Sequence, residues 1–377
     1  MPNLSRRHVL LGASAAIVSP ASNVAAGASD WATTTPAEAG FAPDLAARLD
    51  KLIVDKRAWG LHGVVIARGG RLVLERYFEG PDNAWGNDLG QVSFKSDTLH
   101  DLRSVTKSIV GLLYGIALAD GKVPAPETPL FSAFPDYADL AADPGRARLT
   151  IHHVLTMTLG TEWNEEVPYT DPANSEILME QAADRYRFIL DRAIVAEPGK
   201  RWTYSGGATA LLGRIISKGT GKSLPDYARA ALFDPLGIGA TEWAAGSDGV
   251  PSAASGLRLT PRDLARVGRL LLGGGVWDWR RVVPAEWLER CTTPLVSVDE
   301  LRRFGYHWYV GEFAFATKSG QSRPERWWGA FGNGGQRLFV LPGFDLVVAI
   351  TAGNYNTPGQ PIPPTRVMRE VVIPSIL

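Results

Sequence analysis

Between Ser104 and Ala119 the chain carries one charged side chain, Lys107, and beyond its first few positions the stretch is almost wholly apolar up to Gly121. Apolar residues on nearly every face predict a helix that is buried all round, with Gly121 ending it. A lone cation on such a helix is buried with it. A buried charge requires a partner or a chemical use.

The rest of the chain sets this helix between two runs of strands. Pro43 and the spacing of Leu45, Leu49, Leu52 and Ile53 predict an amphipathic helix ending near Arg57. Residues 63–67 and 71–77, joined by Arg68-Gly69-Gly70, predict a β-hairpin. Helices are expected from Thr150 to Leu155, from Ser175 onward, and over 206–218, stopped by Gly219. Thr260-Pro261-Arg262-Asp263 is a helix start with a capping hydroxyl and Pro in the first turn. Strands return at 304–310, 326–331, 336–341 and 346–352, and a last helix is expected over 365–372. The economical architecture is of the α+β type. One sheet domain is built from both chain ends (29–103 and 300–377), with a mainly helical domain (104–299) inserted between them.

Composition narrows the partners. Lys+Arg 39 balances Asp+Glu 39 without a block of either sign, which argues against nucleic acid. The single cysteine, Cys291, excludes an internal disulfide and a multi-thiolate metal site. Twelve tryptophans suggest an aromatic-lined cleft, although core packing accounts for them equally well. Residues 1–28 form a separate unit: Arg6-Arg7, a short apolar run, then Val24-Ala25-Ala26-Gly27-Ala28. This is the order of a secretory signal cleaved near Ala28, and Ser5-Arg6-Arg7-His8-Val9-Leu10 resembles a twin-arginine signal. Its apolar run is shorter than the ~20 residues a span needs. The expectation is a periplasmic protein with no stable membrane insertion after cleavage; sequence leaves its oligomeric state open.

Three constellations carry chemistry. Ser104 and Lys107, at i and i+3, share one helix face, so hydroxyl and ammonium can meet. A serine needs a base to become a nucleophile, and a lysine serves as one only if its pKa falls. The helix start adds free N–H groups suited to an oxyanion. Alone, Ser-x-x-Lys is a common chance match, equally readable as a capping serine and a solvated lysine. The second is Arg201-Trp202-Thr203-Tyr204-Ser205-Gly206-Gly207, which presents Tyr204 as a proton relay or as a core aromatic. The third runs from Trp327-Trp328-Gly329-Ala330 to Phe331-Gly332-Asn333-Gly334-Gly335-Gln336. Its glycines suit either a simple hairpin or a strand whose backbone approaches a ligand and donates an N–H to a bound carbonyl.

In this order the three motifs resemble those of the serine β-lactamase and penicillin-binding superfamily: Ser-x-x-Lys, Tyr-x-Asn and Lys-Thr-Gly. The resemblance covers nearly all of the chain after residue 28. His100-Asp101-Leu102-Arg103-Ser104-Val105-Thr106-Lys107-Ser108, Leu155-Thr156-Met157-Thr158, Pro198-Gly199 and Asp234-Pro235-Leu236-Gly237 look like the 6-aminohexanoate-dimer hydrolase and family VIII esterase branch. The resemblance implies an antiparallel sheet flanked by terminal helices plus the inserted helical domain. It implies Ser104 as the acylated nucleophile, Lys107 as base and Tyr204 as the proton-relaying tyrosine. Trp327-Trp328-Gly329 falls on Lys-Thr-Gly, so Trp327 and Gly329 line the substrate and the N–H groups of Ser104 and Ala330 hold the oxyanion.

Two departures stand out. Gly206 replaces the Tyr-x-Asn asparagine, for which Asn164 and Asn333 are the candidate substitutes. Trp327 replaces the lysine that would hold a β-lactam carboxylate, with Arg323 and Arg326 nearby. The expected activity is therefore serine hydrolysis of a small ester or linear amide without a cofactor, in a cleft walled by Trp327, Trp163, Tyr169 and Trp308. The rivals are a β-lactamase or D-Ala carboxypeptidase, and a ligand-binding domain that has lost activity. Other motifs lead nowhere. Gly219-Thr220-Gly221-Lys222-Ser223 reads as a helix-ending turn, and His152-His153 lack a partner at ligand spacing, so no metal is expected. No Gly-x-Ser-x-Gly elbow occurs.

Overall fold

The computed structural model describes residues 31–316 and 322–377. Residues 1–28, where an export signal and its cleavage site are expected, lie outside the described residues. None of the described helices is long and apolar enough to cross a membrane.

An eight-stranded, wholly antiparallel sheet organises the molecule. Its order is Val296–Ser297, Arg302–Phe304, Tyr309–Ala316, Ser322–Gly332, Gln336–Leu341, Leu346–Ala352, then β1 (Leu61–Arg68) and β2 (Arg71–Tyr77). The two ends of the chain meet where its sixth and seventh strands pair, with Val65 facing Ala349 across the ladder. Both faces are covered, which is why β1 and the 346–352 strand are apolar at nearly every position. Alternation divides their side chains between two cores. Val64 and Ile66 join Leu45, Leu49 and Leu52 of α1 (Leu45–Val54) and Val367, Met368 and Val371 of the C-terminal helical segment. Val65 and Ala67 face the larger core.

The larger core is built around α2 (Val105–Ala119), thirteen of whose fifteen residues are buried. It lies against the Gly206–Thr220 helix and the 322–332 strand. The Pro261–Leu272 helix, capped by Thr260 Oγ1 accepting from Asp263 N at 3.1 Å, packs on β1 and on the 346–352 and 336–341 strands.

Some elements differ from the sequence expectation. The helix from Ser175 ends at Gln181, and a new one starts at Arg185 under an Asp184 cap. The 206–220 helix runs past Gly219 and is ended by Gly221, whose φ of +67° is left-handed. A hairpin of β3 (Glu79–Ala84) and β4 (Asn87–Ser93) was not expected, because its mostly polar sequence has no apolar alternation. The two-residue strand β5 (His100–Asp101) leads directly into the turn before α2.

Candidate active site

The turn from β5 into α2 is tight. Arg103 adopts a left-handed φ of +49°, unusual for a non-glycine residue, and Ser104 follows at the helix N-cap. Ser104 and Lys107 sit one turn apart on one face, and the Lys107 ammonium donates to Ser104 Oγ at 3.1 Å. Its other bonds go to Glu176 Oε2 at 3.3 Å and to the Ala254 carbonyl at 3.1 Å. All three donors of the ammonium are thereby used. The Tyr204 ring lies under the ammonium, 4.9 Å from its centre. The phenol interacts electrostatically with Lys107 and Ser104.

The electrostatics differ from what a lysine base requires. Burial pushes Lys107 toward neutrality, but Glu176, then Tyr204 and Glu165, reverse this and raise its pKa above the ordinary lysine value. The expected lowered lysine pKa is not met: in the free site Lys107 is a fully bonded ammonium. Burial raises Tyr204 as well, with Lys107 opposing. Burial alone would raise Glu176, yet the Lys107 charge, Glu165 and Ser255 together hold it below the ordinary carboxylate value. Glu165 is pushed up to about 8 by burial and by the Glu176 charge, which favours its protonated form at neutral pH. Trp163 Nε1 (2.6 Å), Tyr169 Oη (2.9 Å) and the Gly206 N–H donate to Glu165.

These carboxylates account for the glycine at the asparagine position. A Cβ on Gly206 would lie 2.3 Å from Glu176 Oε2 and 3.1 Å from Glu165 Oε1. The space an asparagine would fill is taken by Glu176 reaching Lys107. Neither sequence candidate substitutes for it. Asn164 Oδ1 accepts from Glu166 N in its own loop (3.1 Å), and Asn333 is tied to Asn356 (2.6 Å). Glu165 and Glu176 were missed by motif reading because neither belongs to a spaced motif. The signal was Gly206 itself, beside a buried lysine in need of an anion.

Ser104 opens onto a cavity of about 480 Å³, lined also by Trp85, Arg103, Tyr169, Glu176 and Asn333. Such dimensions suit a small organic molecule.

A β-lactamase family profile matches residues 49–370. The chain belongs to the β-lactamase family. Among curated relatives it is similar to a 6-aminohexanoate-dimer hydrolase of Paenarthrobacter ureafaciens, 28% identical over 262 residues, covering 66% of this chain and 59% of that one. It is also similar to the esterase EstB of Burkholderia gladioli, 30% identical over 210 residues, covering 52% and 51% of the two chains. The chain thus spans less than two thirds of either relative's length. Among solved structures it resembles a β-lactamase/D-alanine carboxypeptidase of Pseudomonas syringae (TM-score 0.62, 16% identity, 86% of this chain and 98% of that one). It likewise resembles an octameric penicillin-binding protein homologue of Pyrococcus abyssi (TM-score 0.61, 20% identity, 85% and 75%). At these identities the structures speak for the β-lactamase fold alone.

Within this family frame, Ser104, Lys107 and Tyr204 come together and the third motif divides. Trp327 is buried on the opposite face of the sheet, with Phe313, Phe331 and Phe339, and does not wall the cleft. Gly329 lies between the Trp327 and Phe331 rings on that same side. The reason is strand alternation: Ala330 faces the α2 core, and its neighbours on either side face away. The strand reaches the nucleophile's turn at Gly332, where a Cβ would lie 2.3 Å from the Leu102 carbonyl. Trp308 is fully buried in the core, and Trp163 reaches the site only through Glu165. Arg323 pairs with Glu325 at 3.6 Å, and Arg326 lines a separate cavity of about 520 Å³ around Phe313, so neither replaces the missing cation.

Proposed function

We propose that the protein hydrolyses a small ester or linear amide through an acyl-enzyme on Ser104. The observation that carries this is the 3.1 Å contact of Ser104 Oγ with a buried, fully bonded Lys107 at the floor of an open cavity. In the free site Lys107 is charged, so it becomes a base only by passing a proton to Glu176, its anionic partner at 3.3 Å. The pair then changes from two ions to two neutral groups, a step favoured when bound substrate displaces water from the cavity. Neutral Lys107 takes the Ser104 proton as Oγ bonds to the substrate carbonyl carbon. The oxyanion meets the Ser104 N–H at the open end of α2, with a strand N–H such as that of Ala330 as the second donor. As the carbon–oxygen or carbon–nitrogen bond breaks, the leaving group takes a proton relayed by Tyr204. Water then attacks the acyl carbon, Ser104 regains its proton and the acid departs.

The names of the curated relatives, an amide-cleaving hydrolase and an esterase, support this substrate class. The missing lysine and asparagine of the β-lactam-binding pattern weigh against β-lactams. Export to the periplasm remains a proposal on the Arg6-Arg7 signal alone. The test is turnover of a short-chain nitrophenyl ester, a linear aminohexanoate amide and a chromogenic cephalosporin by the parent and by Ser104→Ala. Ester or amide turnover that falls by at least about a thousandfold in Ser104→Ala is expected, since nucleophile loss costs up to ~10⁶. Cephalosporin as the fastest substrate would favour a β-lactamase, and no turnover of any substrate would leave a binding domain.

A further inference from the structure

Four residues before the nucleophile lies a second buried polar cluster that the mechanism does not use. His62, Asp82 and His100 come from β1, β3 and β5 and are 0%, 4% and 0% exposed. His62 Nδ1 lies 2.9 Å from His100 Nε2, and Asp82 Oδ1 lies 3.9 and 3.8 Å from the same two nitrogens. We propose that these three atoms form a binding site for one divalent transition-metal ion, of which zinc is the best match.

The geometry is specific. A triangle with these sides has its centre about 2.1 Å from each corner, the distance at which zinc takes imidazole nitrogen and carboxylate oxygen. The outer contacts are those of ligands. His100 Nδ1 donates to the Asp101 carbonyl at 2.9 Å, which turns the Nε2 lone pair toward the centre. Tyr355 Oη donates to Asp82 Oδ1 at 2.9 Å.

The backbone is bent to make the cluster. His62 sits where β1 slips register against the 346–352 strand, between Leu61 and Gly63, so its side chain leaves the strand's alternation. The β3–β4 ladder has its irregularity between Asp82 and Asn83. Gly80 and Gly353 make room for the His62 ring, since a Cβ on either would lie within 2.7 Å of it. The Asp82 carboxyl is buried beside two ring nitrogens that are already paired with each other, and a cation at the centre would supply the opposite charge. Two nitrogens and one carboxylate oxygen suit zinc and its first-row neighbours better than magnesium or calcium. The site is nearly closed, so loading accompanies folding. The ion would clip the start of β1 at His62 to β5 and steady the turn that carries Ser104.

The test uses residues 29–377. The protein is unfolded in guanidinium with a chelator and refolded with and without zinc chloride, followed by metal analysis and thermal melting. One equivalent of zinc per chain and a melting temperature several degrees higher than without zinc are expected. Asp82→Asn, which keeps shape and hydrogen bonding to Tyr355, should lose both. Cobalt(II) in the parent should give the visible absorption of a nitrogen- and oxygen-ligated ion, a readout that does not require the variant to fold. A refolded protein with less than about a tenth of an equivalent and an unchanged melting temperature would overturn the site. So would undiminished zinc in a folded Asp82→Asn protein.

Discussion

Two buried polar clusters lie within a few residues of each other along the chain, and they differ in completeness. Around Lys107 the ammonium has three acceptors, Glu176 has Lys107 and Ser255, and Glu165 has three donors. Around Asp82 the carboxyl lies beside two ring nitrogens that are already paired with each other. Lys107 and Glu176 are as deeply buried as His62, Asp82 and His100. The first is a closed set of opposite charges and shared protons, stable as it stands and ready to move one proton. The second sets a carboxyl against two imidazoles that burial keeps neutral, the arrangement of a ligand set before its ion. Burial alone therefore does not mark a reactive site; the charge balance within the buried set does.

The sharpest way to break this contrast is to make the first cluster incomplete. Lys107→Met removes the proton acceptor and leaves Glu176 buried without its cation. Hydrolysis should fall by about 10²–10⁴, and stability by about 3 kcal/mol, near the lower end for a broken buried pair because the two carboxyls can share added protons. Adding Glu176→Leu should restore most of the stability and none of the activity. A single variant that melts like the parent would show that the pair is not the closed set described.

A smaller effect is expected from Glu176→Gln, which keeps the shape and removes the charge that does most to hold Lys107 protonated. The lysine pKa should fall by about 1–3 units for an opposite charge this close. With no Glu176 to take its proton, however, Lys107 must lose it to solvent, so kcat/KM should fall at neutral pH and its acid limb should move to higher pH. A limb that stays in place would detach Glu176 from the proton path.

The smallest effect belongs to Glu165. Its pKa in the folded protein, about 8, lies above the ordinary 4.5, so the folded state holds this proton more tightly than the unfolded chain. The resulting stabilisation is fully present below pH 4.5 and is lost as pH rises through 8. Glu165→Gln mimics the protonated form. Its melting temperature should therefore gain on the parent's between pH 5 and 8, and parallel curves would contradict the assignment.

Much of the fold was legible. The lone Lys107 on an apolar helix marked α2, and apolar strands near both ends marked a sheet closed by the two termini. Ser104, Lys107 and Tyr204 were legible because helix spacing and a short motif place them. What escaped depended on contacts between distant segments. Glu165 and Glu176 reach Lys107 across a loop and a short helix. Trp327 lies on the far face because strand alternation turns it there, and that parity depends on where the ladder begins. His62, Asp82 and His100 come from three strands, two of them at irregularities that no periodic pattern reveals. The charge state of Lys107 was misjudged for the same reason: its partner was unseen.

The central claim is that this buried, balanced set serves Ser104. The most direct measurement is peptide mapping by mass spectrometry after treating the parent protein with a fluorophosphonate, with and without prior incubation with an ester substrate. The account expects one adduct, on Ser104, slowed by substrate and formed far more slowly in Lys107→Met. No adduct, or one on another serine that forms equally fast in Lys107→Met, would contradict it.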